Sequence, residues 1–281
     1  MSDQIPATIK NLIIDMDGVL WRGETPVPGL VHFFESLRAK EINFVMATNN
    51  GTKTAAMYTE KLARFGVTVD PSRILTVAEA TAGYLRDRYP ARTPVYVVGS
   101  DGLRDALTAV GFQIVTAEQV KKGATARVVV GGLHFDFTYE TLAMGALLVE
   151  RGAQFVVTDL DSTHPTEAGT MPGGGAILSI IITTTGVSPV SIGKPGPILF
   201  ESALERLGAR AENTAMIGDR LSTDIAGGNA AGLFTILVLT GLSTAEDVAS
   251  GDVKPDAILK DINDVAKSLA GSAGDSLFSR A

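Results

Sequence analysis

The 281-residue sequence predicts an α/β protein in which parallel strands alternate with covering helices, and in which a second stretch of the same grammar interrupts the first. Short apolar runs recur that stop at aspartate, threonine or glycine, as buried parallel strands do. Between them lie stretches whose apolar residues repeat at helical spacing. A third observation says where function belongs. The run Leu12-Ile13-Ile14 ends in Asp15-Met16-Asp17-Gly18, two carboxylates one residue apart followed by a glycine that permits a sharp turn. Ligands of open α/β sheets bind at the carboxyl ends of strands, so Asp15 and Asp17 stand where chemistry is done.

From Asn11 to about Ala80, strand Leu12–Ile14 leads through a turn, Trp21–Pro28, into a helix over Gly29–Lys40 with Leu30, Phe33, Phe34 and Leu37 on one face. Ile42–Ala47 is a second buried strand, and it ends at Thr48-Asn49-Asn50-Gly51. Helix Thr52–Phe65 follows and closes at Gly66. Between about Thr81 and Gly186, Val95–Val98, Arg127–Val130 and Phe155–Val157 read as strands. Asp101–Val110, Thr138–Arg151 and Ala176–Ile182 read as helices, and Thr158–Gly175 as a long loop of the kind that usually carries function. The first sheet resumes at Val190–Ile192. Helix Gly196–Leu207 has Pro197 in its first turn and Gly208 past its end, and strand Thr214–Ile217 runs into Gly218-Asp219. Then come helix Thr223–Ala231, strand Thr235–Leu239, a helix opened by the capping box Ser243-x-x-Glu246, strand Ala257–Leu259 and helix Ile262–Leu269. The tail from Gly271 is expected to fray.

Composition narrows the chemistry. Twenty-four basic against thirty-one acidic residues give a net charge of −7, which disfavours nucleic acid and anionic membrane as partners. An anionic substrate must then be held by local positive charge, a metal ion or a placed lysine. Cysteine is absent, so disulfides, thiol nucleophiles and zinc–thiolate sites are excluded. Met1–Lys10 has no apolar signal core, and no apolar run nears the roughly 20 residues that span a bilayer, so a cytoplasmic protein is expected.

Gly218-Asp219-Arg220-Leu221-Ser222-Thr223-Asp224 supplies a second acidic site. Asp219 ends a strand, and Asp224 returns from the first turn of the next helix. Alone, that acid could simply favour the helix dipole. Beside Asp15 and Asp17 it makes an oxygen-rich pocket of carboxylates, costly unless a hard cation enters, and Mg2+ is the natural guest. Thr48, Asn49 and Asn50 offer a hydroxyl, amides and backbone N–H groups suited to a phosphoryl oxygen, although N-capping of the next helix is the simpler use of them. Lys194, between Gly193 and Pro195, reaches the same edge with a compact ammonium. The stretch Gly186–Lys194 is no P-loop, because Pro195 stands where a Ser or Thr must hold the metal. His134 and His164 lack zinc spacing, and His32 reads as a surface or packing residue.

Asp15-x-Asp17-Gly18, Thr48-Asn49-Asn50, Gly193-Lys194-Pro195 and Gly218-Asp219-x-x-x-x-Asp224, in this order, resemble the haloacid-dehalogenase-like (HAD) hydrolase superfamily. Asp17-Gly18-Val19-Leu20-Trp21, Ala47-Thr48-Asn49-Asn50, Val130-Gly131-Gly132 with Phe137-Thr138-Tyr139, and Thr223-Asp224-Ile225 look like its NagD-like, 4-nitrophenylphosphatase-like branch. The resemblance covers nearly the whole chain. It implies a Rossmann-like parallel-sheet core, 1–80 and 187–281, with a large α/β cap of the C2 type inserted at 81–186. One stretch departs from the branch: Asp159 and Leu160 stand where Asn and Pro are expected.

The implied activity is a Mg2+-dependent hydrolysis of small phosphate monoesters, of the sugar phosphate, nucleotide, phosphoglycolate or pyridoxal phosphate class. In that scheme Asp15 is the nucleophile and forms an aspartyl phosphate, and Asp17 is the general acid and base. Asp15, Asp219 and the Asp17 carbonyl hold the metal, with Asp224 behind them. Thr48, Asn49, Asn50 and Lys194 bind the transferring group. Asp159, Asp161, His164 and Glu167 in the cap loop are the candidates for choosing the ester. The rivals are a metal-independent dehalogenase of the same fold and a non-catalytic phosphate- or partner-binding protein. Caps of this branch often dimerise, so a homodimer is a further expectation.

Overall fold

The computed structural model describes residues 4–166 and 169–274. The chain forms two compact units, one from Met1–Thr48, Ala55–Leu75 and Lys194–Ala281, the other from Asn49–Thr54 and Thr76–Gly193. The long division points are therefore 75/76 and 193/194, against the expected 80/81 and 186/187. Helix Val77–Arg86 and strand Val190–Ser191 lie wholly in the second unit.

The first unit is built on a six-stranded sheet in the order Ala257–Leu259, Phe234–Val238, Thr214–Gly218, Asn11–Ile14, Asn43–Thr48, Ile74–Thr76. Strand Asn11–Ile14 lies parallel between its neighbours, with Ile14 opposite both Ile217 and Met46. Its Leu12, Ile13 and Ile14 are wholly buried, as a strand covered on both faces requires. Helix Leu30–Ala39 contributes Leu30, Phe33, Phe34 and Leu37 to a core shared with Ile262, Val265 and Leu269 of helix Ile262–Gly274. From Asn11–Ile14 the chain first adds strands on one side and later returns to add them on the other. That reversal opens a crevice at the strands' carboxyl ends.

The second unit has its own sheet, ordered Val190–Ser191, Gln154–Val157, Val128–Gly131, Pro94–Val98, Gln113–Val115, all paired in parallel. Helices Tyr139–Glu150 and Gly174–Thr185 cover it with Leu142, Ala146, Val149, Ile177, Leu178 and Ile181. Side-chain caps explain where several of its helices start. Thr116 and Gln119 form a capping box at Ala117–Lys121, and Thr138 accepts from the Thr141 N–H at the start of Tyr139–Glu150.

Several expectations are corrected. Val190–Ser191 pairs with Gln154–Val157, so it ends the second sheet and does not resume the first. The stretch read as a turn, Trp21–Pro28, holds a two-stranded hairpin of Trp21–Arg22 and Thr25–Pro26. The expected loop Thr158–Gly175 contains antiparallel strands Thr163–Thr166 and Gly169–Pro172. Pro165 and Pro172 are compatible with that ladder, because a two-stranded ribbon has open edges that tolerate proline. The helix expected over Thr223–Ala231 is preceded by a π-helical turn, Leu221–Ile225, before Ala226–Ala230. The capping box sits one residue later than expected, on Thr244 and Asp247, while the Ser243 hydroxyl accepts from the Leu221 N–H. Gly271–Gly274, expected to fray, continue the last helix. Helix Val77–Arg86, strand Gln113–Val115 and helix Ala117–Lys121 had not been anticipated.

Phe34 packs edge-on against Phe33 and Phe44 at ring distances of 5.4 and 5.3 Å and is wholly buried. Phe34→Ala is expected to cost about 3–5 kcal/mol of stability, because the cavity left by an aromatic ring is only partly refilled. Urea unfolding of the two proteins measures this, and a change below about 1 kcal/mol would contradict the packing.

Candidate active site

Parallel register brings the acids together. Strand Asn11–Ile14 ends at Asp15, whose N–H donates to the Ile217 carbonyl at 2.9 Å. The neighbouring strand Thr214–Gly218 delivers Asp219 one residue past its end. The π-helical turn then swings Asp224 back, with the Asp224 and Ile225 N–H groups both donating to the Arg220 carbonyl. Ligating oxygens of Asp15, Asp219 and Asp224 lie within 4.8 Å of one another, and all three residues are buried. Wide turns of this kind recur at functional sites because they re-aim one side chain without ending the helix.

Lys194 opens the last segment of the first unit, and its ammonium enters the acid cluster. It stands 2.5 Å from Asp15 Oδ1 and 2.7 Å from Asp224 Oδ1, and it also donates to the Ala47 carbonyl at 3.3 Å. Asp224 Oδ2 accepts from the Arg220 N–H at 3.1 Å, so each of its oxygens has a task. Asp219 is fixed by a loop beyond strand Phe234–Val238. Its Oδ2 accepts from the Leu242 N–H at 2.8 Å, and its carbonyl from the Ser243 N–H at 3.0 Å. Two glycines make the crowding possible. A Cβ on Gly241 would stand 1.8 Å from Asp219 Oδ2, and one on Gly18, where φ is +88°, would stand 2.5 Å from the same atom.

Three acids around one ammonium leave the charges unbalanced. Burial, reinforced by Asp224 and Asp219, raises the Asp15 carboxyl well above its ordinary range despite Lys194. Burial and then Asp224 raise Asp219 to about 6, against the pull of the Leu242 N–H. Burial alone would lower the Lys194 ammonium, but Asp15 and Asp224 outweigh it and hold its pKa above the ordinary value. An all-oxygen donor set with excess negative charge fits a hard divalent cation, and Asp15, Asp219 and Asp224 are the side chains that would hold it.

Asp17 differs from Asp15 although only Met16 separates them. It is exposed, its carboxylate stays outside the three-acid cluster, and its Oδ1 accepts from the Trp21 indole N–H at 2.7 Å. The expected metal contact of Asp17 thus does not involve its side chain here. Thr48 is buried at the end of strand Asn43–Thr48. Beside it lies the buried Tyr58 phenol, pushed up by burial and by Asp17 and Asp15. Tyr58 and the Gly241–Ser243 loop escaped the sequence reading. Gly241, three residues past the end of strand Phe234–Val238, was the one signal for the loop, and Tyr58 gives none beyond its place on a helix.

Asn49 and Asn50 belong to the second unit. Asn50 Oδ1 accepts from the Thr52 N–H at 2.9 Å and the Thr52 hydroxyl at 2.6 Å, closing a turn ahead of helix Ala55–Arg64. Asn49 Oδ1 packs against Gly193 so closely that a Cβ there would meet it at 2.6 Å. Among the cap candidates, Asp159 is buried, accepting from the Thr158 hydroxyl at 3.0 Å and the Asp161 N–H at 3.1 Å. Its carboxylate shapes the turn before strand Thr163–Thr166. Asp161 is half-buried in that turn, where its carbonyl accepts from the Gly175 N–H. His164 lies on strand Thr163–Thr166 with its ring 5.8 Å from that of Phe135. Glu167 falls outside the described residues.

A parallel α/β sheet ending in an acid cluster with one buried lysine defines a hydrolase of the haloacid dehalogenase type, and the comparisons agree. The haloacid dehalogenase-like hydrolase family model matches residues 12–113, and a related HAD-hydrolase-like model matches 191–265. The acid sugar phosphatase of Staphylococcus aureus is 41% identical over 260 residues, 92% of this chain and 98% of the relative. The 4-nitrophenylphosphatase of Thermotoga maritima superposes with a TM-score of 0.87 at 34% identity, over 94% of this chain and 98% of that one. The glycerol phosphate phosphatase of Mycobacterium tuberculosis, solved with magnesium, superposes with a TM-score of 0.85 at 32% identity, over 94% and 79%. The chain belongs to the haloacid dehalogenase-like hydrolases. Within them it is a phosphatase of the NagD and 4-nitrophenylphosphatase branch.

The raised Asp219 carboxyl has a signed consequence. Its folded-state pKa of about 6 lies above the unfolded value near 3.9, so the native state binds more protons between them. In chelator, the stability from this site is full below about pH 4 and is lost as pH rises through about 6. A saturating divalent cation should reverse the trend, raising Tm more at pH 7 than at pH 5. Thermal melts across this range measure both effects, and a cation increment independent of pH would contradict the assignment.

Proposed function

We propose that the chain hydrolyses small phosphate monoesters, in the sugar phosphate and polyol phosphate range, with Mg2+ as cofactor and an aspartyl phosphate as intermediate. The observation that carries this reading is the buried set of Asp15, Asp219 and Asp224 around Lys194. Relatives named acid sugar phosphatase, 4-nitrophenylphosphatase and glycerol phosphate phosphatase support the substrate range, and the magnesium in one of them supports the ion.

Asp15 is the nucleophile. One of its carboxylate oxygens forms a bond to phosphorus as the bond from phosphorus to the ester oxygen breaks, while Lys194 fixes the carboxylate and offsets charge on the transferring group. Asp17 gives its proton to the departing alkoxide. It then takes a proton from the water that attacks the phosphorylated Asp15, releasing inorganic phosphate and the free carboxylate. Bound magnesium supplies positive charge that lets an anionic nucleophile approach an anionic phosphate. Thr48 is assigned to the phosphoryl oxygens, together with Asn49 and Asn50. A metal-independent dehalogenase has no use for this acid cluster, which disfavours it.

Choice among esters is assigned to Asp161 and His164 of the second unit, since Asp159 is spent on its own turn. Alanine at both positions should lower kcat/KM for the preferred ester more than for 4-nitrophenyl phosphate. Equal losses would move the specificity elsewhere.

The decisive measurement is phosphate release from a panel of esters with and without magnesium. Asp15→Asn should abolish turnover while leaving the fold intact, and chelation should stop hydrolysis until magnesium is returned. Asp17→Asn should slow alkyl esters about 10²–10⁴-fold, the usual worth of general acid catalysis, and 4-nitrophenyl phosphate much less. Full activity of Asp15→Asn, or unchanged rates in chelator, would refute the mechanism.

A further inference from the structure

The hairpin behind Asp17 is organised around the chain's single tryptophan. Trp21 is wholly buried, and its indole N–H donates to Asp17 Oδ1 at 2.7 Å. A phenylalanine would fill much of the same space without a donor, whereas a buried indole needs a partner for its N–H. The backbone locks the pair as well. The Gly18 N–H donates to the Trp21 carbonyl at 2.8 Å, and Asp17 and Trp21 form an isolated bridge.

The ring is held in turn from helix Ala55–Arg64. Tyr58 stacks on it at 6.2 Å with planes 20° apart, and the Lys61 ammonium stands 4.5 Å from its centroid. Lys61 is itself buried. It donates to the Gly23 carbonyl at 2.7 Å and lies 3.4 Å from Glu24, both in the turn of the hairpin that Trp21 begins. Burying an ammonium costs desolvation that a leucine would avoid, so packing alone does not account for it. A cation over the face of an indole is attracted by the ring's negative face and draws its electron density inward. The N–H at the ring edge becomes a stronger donor, and that N–H points at Asp17.

We propose that Trp21, seated by Lys61, is a positioning residue for the general acid: it engages Asp17 Oδ1, fixes the carboxylate's rotamer and leaves Oδ2 to carry the proton. This rests on the general-acid reading of Asp17 given above. A carboxylate two residues beyond the buried nucleophile is exposed and has several rotamers, and proton transfer requires one of them. Lys61 acts through the ring, whose face it stands over.

The test uses the full chain with magnesium, 4-nitrophenyl phosphate as an ester that needs little protonation, and glycerol phosphate as one that needs it. Trp21→Phe should lower kcat on glycerol phosphate about 10–100-fold, part of the usual worth of a general acid, while kcat on the nitrophenyl ester falls only a few-fold and both KM values change little. Lys61→Met, which keeps the ring, should give a smaller loss with the same selectivity, and it stands in if Trp21→Phe fails to fold. Equal losses on the two esters, or none, in the folded variants would overturn the proposal. Asp17→Asn is measured beside them. If it retains the selective loss and the Trp21 and Lys61 variants lack it, positioning fails alone. If Asp17→Asn loses both esters equally, the general-acid reading falls and this proposal with it. A readout independent of turnover is the one tryptophan indole N–H resonance of the ¹⁵N-labelled protein. It should move upfield in Asp17→Ala, and an unmoved peak would show that the hydrogen bond does not exist in solution.

Discussion

Burying three carboxylates around one ammonium is the constraint on which the first unit turns. Like charges so close would repel or protonate, so the surrounding backbone must hold them in place. Register supplies the first part, since parallel pairing of Ile14 with Ile217 sets Asp15 and Asp219 at adjacent strand ends. The π-helical turn supplies the second by returning Asp224 to the Lys194 ammonium. The loop through Leu242 and Ser243 supplies the third, with N–H groups turned toward Asp219. Each device is local, and each spends ordinary helix or strand geometry on placing one atom.

Asp15 and Asp17 show how environment separates roles that residue type does not. Both are aspartates of one turn, but one lies in a buried polar cluster and the other at the surface against an indole. The buried acid is held by a cation and available to attack. The exposed acid can exchange protons with substrate and water, which general acid and base work requires.

Sequence showed the sheet and the cluster because both rest on strong local signals. Apolar triplets such as Leu12-Ile13-Ile14 admit few other readings, and an acid just past such a run has one place to go. Asp15, Asp219, Asp224 and Lys194, far apart in sequence, were brought together by motif order. The failures have physical causes too. Val190–Ser191 is a two-residue strand, too short for any pattern to say which of two sheets it joins. Pro165 and Pro172 hid a hairpin because proline is penalised as a strand residue wherever both edges are paired. The π-helical turn has no composition of its own. Asp159 resembled a ligand-facing acid, yet its oxygens serve the Thr158 hydroxyl and the Asp161 N–H, a use visible only when the turn is seen.

The interruption of one sheet by another also bears on how the protein is made. The ion pair of Lys194 with Asp15 joins residues 179 apart, and strand Asn11–Ile14 meets Thr214–Gly218 only after the second unit has been synthesised. At roughly 5–20 residues per second, the first strand leaves the ribosome about 10–40 s before that neighbour exists. The second unit's sheet, by contrast, comes from one continuous stretch between Pro94 and Ser191 and can close on itself earlier. The half of the molecule that carries the acid cluster is therefore completed last, and until then strand Asn11–Ile14, with Asn43–Thr48 available on one side, has its other edge open and depends on chaperones or a covering helix to keep that edge unpaired.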